Sequence, residues 1–556
     1  MKDKINISLI YPPFSTPTSV PFGLACLKGF LEKKDAGVKV SVFDFNLALY
    51  ERFINAGKDC LPCYFCRKLN LSCFCKGIGA DELNSLSRGR KYFRNKSNFS
   101  DKQIYERHLR YFYSFFIERI RKCCNLILKE LLEFNPKNVL LKNFFQEEIS
   151  RVKSRNPQLI GISLHNLVAG TFSFYPFALA KALKHYCRAP IIMGGASFSY
   201  VNPEDFLRVF DFIDYIIKGP GAESLYILAK NLNNGKIKEI PNLAYRKSGK
   251  ILINESLKSG VEEFSCPDFS EFELKKYYNP RLVLPVMFSR GCSWGACVFC
   301  KYYGDHKGKP VFKRPDEFAE ELGLLQKKYK ACHFYIVDNC IPPDKLFKLA
   351  RAILSKGLKI NYIVYARPAK FSLKILKLLS RSGCKSIHWG VESASNRILK
   401  LMNKGTNIEE VERVLKNSSK SGIRNLIYMI FDFPLQKKED YLKNLEFIQR
   451  LRDQVSFIGL HFFRLEKDTI MSGDPFKYNI RVGSKEKLFS LSGKRVNSSI
   501  YNISPLEEIV DPKNYQAEKL LFLAYVKKFS FPGYFEEHMF FTEKRKGHEV
   551  SKDKIN

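Results

Sequence analysis

The sequence predicts an α/β protein. A doubly wound N-terminal sheet comes first, then a partial (β/α)6 barrel, then a small mixed C-terminal region. Three observations carry this. Short β-branched runs alternate with helical stretches in two separate series along the 556 residues, and such alternation implies parallel βαβ units. Loops rich in Pro, Gly and Ser follow the strands of the first series, as on a ligand-facing edge of an open sheet. In the second series Asp338, Arg367, Glu392 and Asp432 stand at or just past strand ends, where barrel chemistry gathers.

In the first series the strands are "INISLIY", "VKVSVFDF", "LIGISLH", "APIIMGG" and "FDFIDYIIKG", with helical patterns at 22–32, 171–186 and 222–232. The ligand-facing loops are "YPPFSTPTSVPFG" after the first strand and "GGASFS" after the fourth. An insertion over about 47–157 interrupts the sheet after its second strand; it holds a cysteine cluster, a polar stretch and a helical pattern over 102–134. "IPNLAYRKSGKILIN" reads as a hairpin turning at Ser248 and Gly249. The first domain is therefore 1–254, with 255–281 as a linker.

The second series occupies 282–483. Its strands are "LVLPVMFSR", "ACHFYIVD", "INYIVYA", "CKSIHWGVE", "NLIYMIFDF" and "FIGLHFFRL", and helices are expected at 315–330, 343–355, 372–382, 408–421 and 439–452. The extension 484–556 is mixed and basic, with one helical pattern at 515–528.

Composition narrows the function classes. Apolar residues at 45% and charged residues at 27% describe a globular chain. No apolar run reaches the roughly 18 residues of a membrane span, and the N-terminal stretch, cut off by two prolines, is unlike a signal peptide. The expected location is the cytoplasm. The net charge of +36 invites a polyanion partner. The basic residues are spread along the whole chain, however, and no nucleic-acid recognition motif is present, so nucleic acid is not the expected partner. Sixteen cysteines without a secretory signal favour metal or redox chemistry over disulfides.

"RGCSWGACVFCKYY" places Cys292, Cys297 and Cys300 within nine residues, directly after the first strand of the second series. Three thiolates on a loop suit three irons of a 4Fe-4S cubane, with the fourth iron open to another ligand. A Cys3His zinc site completed by His306 is the alternative.

The stretch resembles the cluster loop of the radical S-adenosylmethionine (SAM) superfamily, whose usual pattern is Cys-x3-Cys-x2-Cys with an aromatic residue before the last cysteine, here Phe299. Four residues, not three, separate Cys292 from Cys297. "GVESASNRILKLMNKG" is similar to the family's fourth-strand segment, "SGIRNLIYMIFDFP" to its fifth, and "YARP" to its third, although Leu435, Gln436 and Lys437 stand where the family commonly has Gly-Glu-Thr. The resemblance implies a 4Fe-4S cluster on Cys292, Cys297 and Cys300. It implies SAM near Phe299, Arg367, Glu392 and Ser393, and reductive cleavage of SAM to a 5'-deoxyadenosyl radical. It also implies a one-electron donor such as flavodoxin or ferredoxin.

The first domain resembles the Rossmann-like cobalamin-binding domain that precedes many such barrels. "LIYPPFSTPTSVPFGLACLKGFL", "VFDFN", "IIMGGASFS" and "DYIIKGPGAESLYILAKNL" follow the family's order, with Pro220 and Ala222 as departures. The cobalt-ligating Asp-x-His-x-x-Gly motif is absent: around His165 its flanking positions are Ser163 and Val168. Cobalamin is the expected further cofactor, near Gly194, Gly195 and Ser197.

With cobalamin, the resemblance implies methyl transfer to an unactivated carbon of a small molecule or peptide. A radical SAM cyclase or rearrangement enzyme, a tRNA methylthiotransferase, and a non-catalytic iron-sulfur nucleic-acid-binding protein remain as alternatives. In "CLPCYFCRKLNLSCFC", Cys60, Cys63 and Cys66 sit at two-residue spacing and suit an auxiliary cluster or zinc; a reduced, cysteine-rich loop is the other reading.

Overall fold

The structure is a computed structural model, and it describes residues 4–55, 68–69, 80–95, 99, 102–133, 139–164, 167, 172–199, 201–232, 236–256, 265–301, 310–505 and 536–541. Cys60, Cys63 and Cys66, the proposed auxiliary site, lie outside the described residues, as do His165, His306 and the helical pattern at 515–528. The chain divides into two compact units: 1–94, 107–278 and 485–499 form one, and 95–106, 279–484 and 500–556 the other. Among the described residues no helix is long and apolar enough to cross a membrane.

The first unit is built on seven strands: β1 (Ile5–Tyr11), β2 (Val38–Asp44), β3 (Leu159–Ser163), β4 (Ile191–Gly194), β5 (Tyr215–Ile217), β6 (Leu243–Lys247) and β7 (Lys250–Ile253). Their order is β2-β1-β3-β4-β5-β6-β7. The first five run parallel, while β6 and β7 add an antiparallel hairpin. It turns at Ser248 and Gly249, both at positive φ (49° and 75°), as a tight primed turn requires. Strand order reverses between β1 and β3, the switch point at which open α/β sheets hold ligands beyond their carboxyl ends.

Between β2 and β3 the chain forms a run of helices that includes Arg121–Glu133, whose Cys123, Cys124, Ile127, Leu128 and Leu131 are buried. Residues 265–278 pack onto this same unit. The Asp268 amide donates to the Ala25 carbonyl (2.9 Å), the Tyr278 amide donates to that of Pro17 (3.0 Å), and the Tyr277 hydroxyl donates to Asp44.

The second unit contains β8 (Val283–Val286), a short ribbon of β9 (Ser289–Arg290) and β10 (Val311–Phe312), and then β11 (His333–Ile336), β12 (Asn361–Ala366), β13 (Cys384–Glu392), β14 (Arg424–Phe431) and β15 (Val455–Phe462). β8 and β11 to β15 make one open, all-parallel sheet in sequential order β8-β11-β12-β13-β14-β15. This is the partial barrel with its expected strands. Helices Pro315–Tyr329, Pro343–Ser355, Leu373–Arg381, Ile408–Lys420 and Lys438–Arg450 provide the connections.

The inner strands of this sheet are largely buried on both faces, as in parallel sheets. On β13, Trp389 is fully buried, meets Phe371 edge-on at 5.0 Å and donates to Asn425 Oδ1 at 2.8 Å, whereas its neighbour His388 lies among the rings of Tyr335, Tyr365 and Tyr428 on the sheet's other face. A three-stranded sheet of β16 (Leu465–Glu466), β17 (Ile480–Leu491) and β18 (Lys494–Pro505) follows in the order β16-β18-β17. Apart from the first residues of β17, the last two strands lie in the 484–556 extension, where the sequence marked no strand.

Candidate active site

The loop after β8 and β9 carries the three clustered cysteines, and none of the described cysteines is in a disulfide. Cys292 forms a single parallel bridge with Cys340, just beyond β11. The Cys340 thiol donates to the Cys292 sulfur, and the amide of Gly295 adds a bond at 3.5 Å. These bonds, Cys340 foremost, hold the Cys292 pKa down against its burial, toward the thiolate that metal ligation needs. Burial raises the pKa of Cys297, with the Lys404 ammonium opposing it. Among the described residues no three His, Cys, Asp or Glu side chains close on one point as they would around a single ion.

The loop is fastened to the segment 402–405 that follows β13. Trp294 Nε1 donates to the Asn403 carbonyl (2.7 Å), Asn403 Nδ2 to that of Ala296 (2.9 Å), and the Val298 amide to that of Met402 (3.1 Å). Gly405 has φ +65°, and a Cβ there would sit 2.2 Å from the Trp294 ring, so this close approach admits glycine alone. Arg367, at the end of β12, lies over the Trp294 ring at 4.1 Å and donates to the carbonyls of Lys404 (3.2 Å) and Gly405. The guanidinium thereby clamps the cysteine loop to this segment.

Glu392 ends β13 at φ +68° and accepts from Lys404 Nζ at 2.8 Å, with both side chains nearly buried. Lys404 lies beside Cys297 and Cys340 as well, and the opposite charges around it raise its pKa despite burial. Ser393 is fully buried, its hydroxyl taken up by the Ser395 amide (3.1 Å) and Asn444 Oδ1 (3.4 Å), so it holds the turn after the strand. Phe299 packs edge-on to Phe433 at 6.2 Å, in an apolar cluster with Val298, Ile398 and Met402.

The two aspartates serve the scaffold. Asp338 accepts from the Phe288 amide (2.9 Å) and the Ser289 hydroxyl, and Asp432 accepts from the Tyr441 hydroxyl (2.9 Å). The structure thus brings the cysteine loop, Arg367 and Glu392 together. Lys404 and Cys340 were not singled out from sequence. Lys404 stands in the quoted "LMNKG", and a lysine next to the glycine that ends this turn was the available signal.

In the first unit, Gly194 ends β4 and Gly195 follows it. Gly195 has φ +104°, and a Cβ there would lie 2.3 Å from the Leu164 carbonyl beyond β3. The Ser197 amide donates to that same carbonyl (3.2 Å), and Ser197 Oγ accepts from the Leu167 amide (3.1 Å). The three residues therefore lace the loop after β4 to the loop after β3, at the carboxyl edge beside the switch point.

Residues 286–448 match the model of the radical SAM superfamily. The chain is 28% identical over 320 residues to an uncharacterized methyltransferase of Pyrococcus horikoshii, covering 55% of this chain and 67% of that one. By structure it is similar to the radical SAM methyltransferase TsrM from Kitasatospora setae, solved with tryptophan substrate and a SAM analogue (TM-score 0.62, 15% identity, 93% of this chain and 89% of that one). It is also similar to the cobalamin-dependent SAM radical enzyme OxsB, solved with aqua-cobalamin and SAM (TM-score 0.60, 16% identity, 93% and 66%). The chain spans about two thirds of the length of OxsB and of the Pyrococcus relative. At these identities the structural likeness speaks for the shared two-part fold.

Proposed function

We propose that this chain, a member of the radical SAM superfamily through residues 286–448, is a cobalamin-dependent methyltransferase acting on an unactivated carbon of a small molecule or peptide. One observation carries the reading: three cysteines of a single loop, none of them in a disulfide, are locked by Trp294, Asn403 and Arg367 beside the buried Glu392–Lys404 pair. Cys292, Cys297 and Cys300 would hold the 4Fe-4S cluster, and the depressed pKa of Cys292 fits a ligating thiolate. Glu392 and Lys404 offer one carboxylate and one ammonium, the charge complement of the amino-acid end of SAM. Phe299 would wall the site, Arg367 would keep the loop in place, and Ser393 would fix the turn from which Glu392 projects. Gly194 and Gly195 leave bare backbone at a switch-point edge, braced by the buried Ser197, where cobalamin would lie.

When bound, the cluster supplies the electron that cleaves SAM, and cobalamin supplies a methyl carrier. The protein's share is to orient the amino-acid end of SAM, keep the thiolates in place and exclude water. The Pyrococcus methyltransferase is more similar (28% identity) than two anaerobic magnesium-protoporphyrin IX monomethyl ester cyclases (23% and 24%), which supports methyl transfer over ring closure. An electron donor of the flavodoxin or ferredoxin kind and a cytoplasmic setting belong to the same proposal.

Anaerobic reconstitution followed by SAM and dithionite tests it. The parent should form 5'-deoxyadenosine, and Cys297→Ala should lose iron and the product together. No product from the parent, or unchanged iron in the variant, overturns the radical reading. Protein purified with hydroxocobalamin should stay coloured after desalting; a colourless sample removes methyl transfer.

A further inference from the structure

Below the Glu392–Lys404 pair, the inner face of the six-stranded sheet carries a second polar layer. Tyr335 of β11, Tyr365 of β12 and Tyr428 of β14 converge on one carboxylate, that of Glu536, from the short helical turn Glu536–Phe540. Tyr365 donates to Oε2 and Tyr428 to Oε1, each at 2.8 Å, and Tyr335 donates to Oε2 as well. The turn is anchored: Met539 and Phe541 are buried, Phe540 and Phe541 pack on His333 at 5.1 and 5.2 Å, and Tyr105 bonds His538 Nδ1 at 3.0 Å. Three phenols on one carboxylate leave that group little capacity for more, so the layer is a closed floor.

His388 of β13 stands in this layer, 4.9 Å from the Tyr365 ring and 6.0 and 6.2 Å from those of Tyr335 and Tyr428. It is fully buried, and neither ring nitrogen has a hydrogen-bond partner. Each unsatisfied buried polar atom costs on the order of 1–3 kcal/mol, so a donor and an acceptor held open together need a reason. Burial lowers the imidazole pKa to about 4, so at neutral pH the ring offers one N–H and one bare nitrogen. Two residues on, Gly390 carries no side chain, and a Cβ there would lie 2.8 Å from both Glu392 Oε1 and Lys404 Nζ. His388 and the SAM-facing pair therefore share one face, with the glycine between them, about 7 Å of strand from His388 to Gly390.

We infer that His388 is a substrate-recognition residue that pairs with a neutral donor–acceptor group, a carboxamide or hydroxyl, of a ligand seated between the Glu536–tyrosine floor and Glu392. This rests on the proposed function for the identity of the ligand as substrate. A charged group finds no countercharge at His388: the imidazole is neutral, and the nearby Glu536 carboxylate is already held by three phenols.

The test uses anaerobically reconstituted, full-length holoenzyme with acetamide, acetate and methylammonium as probes, read by thermal melting in the parent, His388→Phe and His388→Gln. Acetamide should raise the parent's Tm more than that of His388→Phe, which lacks both groups, while His388→Gln, with an amide donor and acceptor, should keep part of the shift. Acetate and methylammonium should show no dependence on residue 388. Equal acetamide shifts in parent and His388→Phe, or a larger response to either ion, overturn the inference. If His388→Phe does not fold, crystals of the parent soaked in acetamide decide: density for the amide across His388 supports the site, and a lone water or nothing overturns it. 5'-Deoxyadenosine formation in the same preparations reports the radical reading separately, so either idea can fail alone.

Discussion

Replacing Lys404 by Met removes an ammonium held 2.8 Å from Glu392, where the two side chains are only 9% and 11% exposed. Breaking a buried pair from one side leaves the other charge uncompensated, at about 3–5 kcal/mol. With a urea slope near 3 kcal/mol/M for a unit of this size, the unfolding midpoint should fall by about 1–2 M. The two tryptophans of the chain, Trp294 and Trp389, both lie in the second unit, so their fluorescence follows this unit alone. Glu392→Gln should cost a similar amount. The double variant Glu392→Gln/Lys404→Met should cost about as much as either single change, a coupling of about 3–5 kcal/mol. A midpoint shift below about 0.3 M for Lys404→Met, or a double variant equal to the sum of the singles, would refute the buried-pair argument.

Three further outcomes are expected. Burial raises Asp338 from 3.8 to about 7; because its folded pKa lies above its unfolded one, its stabilising contribution is complete below about pH 4 and is lost as pH rises to about 7. The parent's tryptophan-monitored urea midpoint should therefore fall between pH 5 and pH 8 by more than that of Asp338→Asn, and parallel curves would contradict this. Gly405→Ala forces a Cβ into Trp294 at φ +65°; left-handed strain of about 1–2 kcal/mol and overpacking of about 1–3 kcal/mol should lower iron content after reconstitution. In the first unit, Gly195→Ala drives a Cβ to 2.3 Å from the Leu164 carbonyl, and the protein should retain less hydroxocobalamin than the parent after desalting.

The strands were legible because parallel sheets buried on both faces write continuous apolar runs such as "LVLPVMF" and "LIYMIF". The cysteine triplet was legible because its ligand types sit close together in the chain. Arg367 was placed well, but its neighbours were not foreseeable: it meets carbonyls and an indole rather than a carboxylate, contacts set by how residues 402–405 return to the loop. Lys404 escaped notice because basic residues are common throughout this chain. The floor escaped because Glu536 lies more than a hundred residues from the nearest of its tyrosines. Strands β17 and β18 mix charged and apolar residues without clean alternation, and several positions of β17 are exposed, so period-2 patterning was weak there.

The floor also has a temporal side. Phe462, the last residue of the parallel sheet, precedes Glu536 by 74 residues, which is about 4–15 s of ribosomal synthesis at 5–20 residues per second. Throughout that interval the six strands have emerged while their three phenols still lack the carboxylate that will satisfy them. A message truncated before codon 536 would yield a chain with every cluster-loop residue in place and an unsealed sheet interior. Such a product is expected to be a client of chaperones and proteases rather than a smaller working enzyme.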